Sequence, residues 1–182
     1  GDADNPFVPY PGSVMHEGLT TPWAVTGVGE SVVWLSQDHT GRNRIVAASD
    51  YAPQAVSTPA IDFALASYGS NVDMEVLAYE QEGHQFAIFT SPSGDTTWAF
   101  DVVENEWHQR AGWNTVTGQY ARWRARGLAS TPAGLLCGDY ATGELYTLDL
   151  DTFTDGGRMI RREKVTPFLS SENQWLFLDQ FE

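Results

Sequence analysis

Four short apolar segments follow one another between Glu75 and Arg110. They cover residues 75–81, 85–90, 96–103 and 106–110, and turn formers separate them at 83–84, 91–95 and 104–105. The two middle segments carry apolar side chains on both faces, as strands covered on both sides do. The last segment shows only Trp107 on one face, which is typical of an exposed edge strand. The pattern predicts a four-stranded antiparallel meander, the unit that forms one blade of a β-propeller.

Two further hairpin patterns repeat part of this unit. They cover 30–37 with 44–49, and 134–138 with 144–150. The turn glycines Gly41, Gly94 and Gly143 are 53 and 49 residues apart, and a period of about 50 residues is found in propeller repeats such as kelch. An acidic residue ends a strand in each copy, at Asp50, Asp101 and Asp149. We therefore expect an all-β, propeller-like fold of three to four antiparallel four-stranded blades with one short helix.

The short helix is predicted between residues 58 and 69. Thr58 suits the N-cap, Pro59 the first helical position and Gly69 the residue after the end. The apolar positions follow helical spacing, at Ile61, Ala64, Leu65 and Tyr68. This spacing predicts a helix that packs on the sheet.

The domain organisation follows from these elements. Residues 1–28 are predicted to form an extended lead-in with a first strand at 22–28, and residues 29–182 the propeller-like domain. An arginine-bearing strand is expected at 158–166 and an apolar strand at 173–181. Because the sequence ends on an apolar strand, we expect the chain to be a fragment of a longer protein.

Charge and hydropathy limit the classes of partner. The 182 residues have a formal net charge of −14, and a field of that sign repels phosphate backbones and anionic lipid. Direct nucleic-acid contact is therefore disfavoured. No apolar run approaches the roughly 18 residues of a membrane-spanning helix, so no membrane partner is expected.

The sequence offers no metal or cofactor motif. The histidines are scattered, at His16, His39, His84 and His108, and Cys137 is alone, so neither a His pair with ligand spacing nor a cysteine site exists. Cys137 is predicted to be a small buried hydrophobic residue. A calcium loop at 149–156 is the weaker alternative to turn carboxylates, because Phe153 and the late glycine depart from the calcium-loop pattern.

A candidate blade-turn motif lies at residues 91–98. Ser91, Gly94, Asp95 and Trp98 resemble the Asp box of sialidase propellers, but Ser93 stands where the box has Asp, and Gly94 and Asp95 are out of register. That box builds a turn and supplies no catalytic group. No nucleophile motif, phosphate loop or pair of carboxylates accompanies it, so we expect no enzymatic activity.

Arginine and tryptophan side chains form the candidate interaction surface. Arg122, Arg124 and Arg126 alternate with apolar residues, which predicts one cationic strand face over 118–127. Carboxylates of a neighbouring blade or subunit are the favoured partners, and a polyanion is the alternative. Trp107, Trp113 and Trp175 are candidates for a subunit interface or a sugar platform, with burial between blades as the plainer possibility.

Several segments in a fixed order resemble one protein family. They are YEQEGHQF (79–86), FTSP (89–92), TWAFD (97–101) and EWHQR (106–110), flanked by VSTPAI (56–61), GDYATGELY (138–146) and IRR (160–162). Together they are similar to the packaged-DNA stabilisation proteins of short-tailed bacteriophages, the tail-hub proteins below the portal. The resemblance spans residues 29–166, whereas members of the family are longer.

The resemblance implies a structural virion protein without catalytic residues or a cofactor. Such a protein joins the tail after DNA packaging, assembles as a homo-oligomeric ring and contacts other tail or portal proteins. It would be made in the host cytoplasm and reside in the virion tail. Because the chain is acidic, DNA retention would come from closing the portal channel. Two alternatives remain: a sialidase-like propeller that binds or cleaves glycans in host recognition, and a bacterial propeller used as a scaffold.

Overall fold

The first β-sheet contains five strands. A computed structural model of the chain describes residues 15–132 and 134–163. The strands are β1 (Gly18–Leu19), β2 (Val25–Val28), β3 (Ser31–Gln37), β4 (Asn43–Ala48) and β5 (Gln54–Ala55). Because β4 pairs with residues 32–37 of β3, the strands β1 and β2 share the other edge of β3 as one interrupted strand. The predicted hairpin at 30–49 is confirmed, and the sheet has four strand positions.

A single described helix, α1 (Pro59–Ser67), follows the first sheet. The Thr58 hydroxyl accepts a hydrogen bond from the Ile61 amide at 3.4 Å, and this bond satisfies an amide that has no partner within the helix. Ile61 and Leu65 are buried, and they pack between the first and second sheets. The predicted helix, its cap and its apolar face are confirmed.

The second sheet is the predicted central meander. Its strands are β6 (Glu75–Gln81), β7 (His84–Ser91), β8 (Thr96–Asp101), β9 (Glu106–Asn114) and β10 (Gln119–Arg122). The first part of β9, residues 106–110, pairs with β8 alone, as expected for an edge. Its second part, residues 111–114, continues and pairs with β10, an extension that the sequence did not indicate.

The third sheet contains three described strands, and a two-stranded sheet follows. The strands are β11 (Ala125–Thr131), β12 (Gly134–Asp139) and β13 (Leu145–Leu148), then β14 (Thr154–Asp155) and β15 (Arg158–Met159). The hairpin predicted at 134–150 is confirmed. Two expectations are wrong. Residues 118–127 form parts of β10 and β11 in different sheets, and the strand predicted at 158–166 is described as strand only at Arg158–Met159. Residues 164–166 and the strand expected at 173–181 lie outside the described residues.

The core fills both sides of the second sheet. One side packs against the first sheet and α1, with Phe89 fully buried among Leu35, Ile45 and Leu65. The other side packs toward the third sheet through a cluster of Tyr79, Ile88 and Ala99, against which Trp123, Leu128 and Leu135 are packed. The prediction that the middle strands are covered on both faces is confirmed. The chain is therefore all-β, with mostly antiparallel sheets and one described helix, and the described sheets form no closed barrel.

Candidate interaction surface

The blade-turn motif joins the end of α1 to the second sheet. The Ser91 hydroxyl accepts the Gly94 amide at 3.0 Å, and Asp95 adopts a φ of 44°. The Trp98 indole nitrogen donates to the Tyr68 hydroxyl at 2.9 Å. A methyl group added at Gly94 would lie 2.6–2.9 Å from three atoms of the Tyr68 ring. The motif therefore has a structural role. Its contact partner, Tyr68, lies 26 residues before Gly94 in the sequence.

Side-chain carboxylates and an amide cap several hairpin turns in the same way. The Oδ1 atoms of Asp101, Asn114 and Asp139 each accept the amides two and three residues later, at 2.6–3.4 Å. A residue with positive φ stands four positions after each one, at Asn105, Gly118 and Gly143. Asp50 accepts the amide two residues later, and Asp149 accepts the Asp151 amide and the Thr152 hydroxyl. The strand-end acids of the repeat therefore act within turns.

The predicted arginines make three different internal contacts. Arg126 pairs with Glu75 of the second sheet at 2.7 Å, which confirms for this residue the expected carboxylate on a neighbouring sheet. Arg124, which directly precedes β11, pairs at 2.6 Å with Asp139 at the end of β12 in the same third sheet. Arg122 stacks over the Tyr140 ring, with the guanidinium carbon 3.9 Å from the ring centroid. Arg122 and Arg126 therefore link the second and third sheets, while Arg124 is paired at the third sheet, and the three side chains do not share one strand face.

The Asp139 carboxylate is the most buried member of these ion pairs, with 5% of the residue exposed. Burial would raise its pKa, but the amides of Ala141 and Thr142 and the Arg124 guanidinium outweigh that effect and hold the pKa below its usual value. Both described Arg124 contacts go to Oδ2, while Oδ1 accepts the turn amides. One carboxylate thus fixes a turn and a guanidinium together.

The two predicted tryptophans that the structure describes are half-buried. Trp107 stacks on Phe100 at 4.7 Å and donates its indole N–H to the Val56 carbonyl at 2.8 Å. Trp113 meets the Tyr120 ring edge-on at 5.0 Å and lies 4.3 Å from the Arg161 guanidinium. Trp107 therefore packs within the protein, and Trp113 is the more peripheral of the two. Trp175 lies outside the described residues.

Arg110 is a potentially functional residue that the sequence did not single out. Its guanidinium lies 4.9–5.2 Å from the ring centroids of Phe86, Trp123 and Tyr79, and its Nε donates to His108 Nε2 at 3.3 Å. Burial lowers the pKa of His108, and the Arg110 charge lowers it further. The only signal in the sequence was the position of Arg110 on the polar face of the edge strand.

His84 and Asp101 form a second contact on the same sheet. His84 Nδ1 lies 2.6 Å from Asp101 Oδ2 across the β7–β8 pair. Burial would raise the pKa of Asp101, but the hydrogen bond from His84 and those from two turn amides lower it below its usual value. The pair links a residue that begins β7 with one that ends β8.

Cys137 lies on β12 with 6% of the residue exposed, which confirms that it is buried. Burial raises the pKa of its thiol, so the reactive thiolate form is disfavoured. Within residues 15–132 and 134–163, no group of three or more His, Cys, Asp or Glu side chains is arranged to hold a metal ion.

Comparison with known proteins identifies the family. Residues 1–153 match the family model described as bacteriophage P22 Gp10, beta-propeller. No curated protein matches the chain significantly. Within the described part, no helix is long and apolar enough to cross a membrane. Because the family match covers most of the chain and agrees with its antiparallel sheets, the chain belongs to the phage stabilisation family of the P22 Gp10 β-propeller.

Proposed function

We propose that this chain is a propeller segment of a phage tail hub that helps to close the portal channel through protein contacts. The family match over residues 1–153 carries the proposal. The first and second sheets would each form one blade and the third sheet a further one, giving three to four blades in all. The fold supports an assembly role because the second sheet packs between the first and third sheets and the hairpin turns are left at the rims.

In the same proposal, full-length protein forms a homo-oligomeric ring, contacts portal and tail proteins, and passes from host cytoplasm to virion. The net charge of −14 supports closure of the channel by protein instead of a grip on DNA phosphates. The division into a lead-in at 1–28 and a domain at 29–182 stays a prediction. Two strands within the lead-in, β1 and β2, pair with β3 of the domain.

Fewer residues of the candidate interaction surface are available to a partner, because several of them make internal contacts. Arg126 keeps 64% of its side chain exposed despite the Glu75 pair, and Trp113 lies at the periphery beside Arg161. We propose these two residues as the part of the surface that reaches a partner. We propose that the internal contacts of Trp107, Arg122 and Arg124 hold these two residues in position.

The test uses DNA-filled phage heads that lack their tail proteins. The chain is added alone and with the other tail proteins, and we measure its co-sedimentation with the heads and the resistance of the packaged DNA to nuclease. We expect binding to the heads and a gain in nuclease resistance, both reduced by Trp113→Ala with Arg126→Ala. Val72→Ala is the control, because Val72 is 68% exposed and lies outside this surface.

Two results would contradict the proposal. One is the absence of the chain from the sedimented particles in every mixture. The other is retention of the chain on a glycan array with loss of binding in Trp113→Ala, which would favour the glycan-binding alternative. The family match does not favour that alternative.

A further inference from the structure

A cleft lies between β9, the third sheet and the segment 154–163. Its volume is about 790 Å³. We call it the arginine cleft and define it by six of its lining residues: Arg110, Tyr120, Trp123, Tyr146, Arg161 and Arg162. Since ligand sites have volumes of about 300–1,000 Å³, the cleft is large enough for a ligand larger than water.

Arg110 lines this cleft with an unpaired charge. Arg124 and Arg126 each have a carboxylate at 2.6 and 2.7 Å, whereas no described carboxylate lies within 4.0 Å of the Arg110 guanidinium. Three aromatic rings surround Arg110 instead. Cation–π contacts hold a guanidinium in place, and because Arg110 Nε already donates to His108, its terminal N–H groups are the donors left for a ligand. A half-buried cation with free donors is suited to an external anion.

The segment 154–163 supplies a second guanidinium to the lining of the cleft, that of the exposed Arg162. Arg162 lies 5.6 Å from the Phe153 ring centroid and has no described carboxylate within ion-pair distance. Arg161, by contrast, pairs with Glu163 at 3.3 Å and lies over Trp113. Two guanidinium groups without a carboxylate partner among the described residues therefore line one cleft, one from β9 and one from the segment 154–163.

Acidic residues in the wall restrict the charge of a ligand. Asp149 and Asp155 also line the cleft, and neither has an ion-pair partner among the described residues. They would repel a polyanion that fills the cleft, and the net charge of −14 would repel it at longer range. A single negative charge beside Arg110 or Arg162 meets less of this repulsion than a chain of phosphates does. The walls thus favour an isolated carboxylate over a phosphate backbone.

We infer that the arginine cleft binds an acidic side chain on a peptide segment of a partner protein. The planar donors of Arg110 match a carboxylate, while Trp123, Tyr146 and Ile160 offer apolar surface to the neighbouring residues of that segment. The inference deepens the proposed function and rests on it for the existence of a protein partner. It assigns the chemistry of one contact.

Binding can be measured with a capped tripeptide probe that carries glutamate between two phenylalanines. The matched peptide has glutamine in place of glutamate. We follow the Nε–Hε resonance of Arg110 in the full chain by NMR during titration. Because one charge-assisted hydrogen-bonded pair contributes about 1.5–3 kcal/mol, we expect the glutamine peptide to bind about tenfold more weakly or worse.

Variants of Arg110 give the matched comparison. Arg110→Met keeps a long side chain against the rings and removes the charge, so it should weaken glutamate binding by about tenfold. Arg110→Lys keeps the charge without the planar donors and should bind at an intermediate level. Arg42→Met is the control, since Arg42 is exposed and lies outside the cleft. Circular dichroism checks that each variant folds.

The inference is overturned by equal binding of the two peptides, by wild-type affinity in Arg110→Met, or by no binding at all. Tighter binding of a single-stranded oligothymidylate would overturn it in favour of a polyphosphate site. Incorporation into phage particles without peptide binding would remove this inference and leave the proposed function standing. Binding of the glutamate peptide without incorporation into phage particles would contradict the proposed function and leave carboxylate binding by the cleft standing.

Discussion

Gly94 is the position at which a single methyl group should reveal how α1 is fastened to the second sheet. An alanine Cβ there would lie 2.6, 2.7 and 2.9 Å from three atoms of the Tyr68 ring. The ring cannot move freely, because its hydroxyl accepts the Trp98 indole N–H at 2.9 Å. Gly94→Ala must therefore displace the ring, break that hydrogen bond or shift the turn.

The magnitude follows from two opposing effects. Gly94 does not adopt a positive φ, so alanine fits the backbone and gains about 0.4–1 kcal/mol from the unfolded state. Overpacking of a well-filled site costs about 1–3 kcal/mol, and loss of the Tyr68–Trp98 hydrogen bond about 1 kcal/mol more. We expect a net decrease in the free energy of unfolding of about 1–3 kcal/mol.

The assay is urea unfolding at neutral pH, followed by tryptophan fluorescence, in a double-mutant cycle with Tyr68→Ala. If the Tyr68 ring is the obstacle, Gly94→Ala should cost little in the Tyr68→Ala background. Gly27→Ala is the control, since an added Cβ there meets no atom within 4 Å. A neutral Gly94→Ala variant, or an equal cost in both backgrounds, would refute the contact as the cause.

Three further predictions concern single contacts. Asp139→Asn should lower the free energy of unfolding most at neutral pH. The folded state lowers the pKa of Asp139, so its carboxylate stabilises the protein above the unfolded pKa and loses that contribution as the pH falls. Urea unfolding from neutral pH to about pH 3 should show the difference in stability between wild type and variant decreasing. Thr58→Ala should cost about 0.5–2 kcal/mol through loss of the N-cap, and Thr58→Ser much less, by thermal unfolding. Cys137 should react with a thiol reagent only as fast as the protein opens, and prompt labelling in native buffer would contradict its burial.

Local patterns predicted those parts of the fold whose partners are close in sequence. Each strand of the meander at 75–110 pairs with the next across a short turn, so alternation and turn residues sufficed. The helix carried its own cap at Thr58 and its own buried stripe. The sequence also predicted that strands β7 and β8 would be covered on both faces, since both faces are apolar.

The strand predicted at 118–127 failed because its backbone partners are distant. The Arg122 amide donates to Asp95 Oδ1 at 3.2 Å, and the Trp123 amide donates to Thr97 Oγ1 at 3.1 Å. These side-chain acceptors lie on β8 and in the turn before it, and they satisfy the amides at the point where the chain passes from β10 to β11. The alternation of arginine and apolar residues continues across that point, so the sequence pattern does not indicate that the chain changes sheet there.

The candidate surface was incomplete for a related reason. Arginine and tryptophan are suited both to contacts between sheets and to contacts between proteins, and composition cannot separate the two. The structure separates the two kinds of contact by the partner of each guanidinium. Arg124 and Arg126 each pair with an internal carboxylate, whereas Arg110 lies beside three rings and has no carboxylate partner within the described part of the chain. In a chain with 24 acidic and 10 basic residues, an unpaired guanidinium beside a cleft is the less expected outcome. That imbalance makes Arg110, which no motif contains as a binding residue, a stronger candidate for a partner contact than the arginines that the alternation predicted.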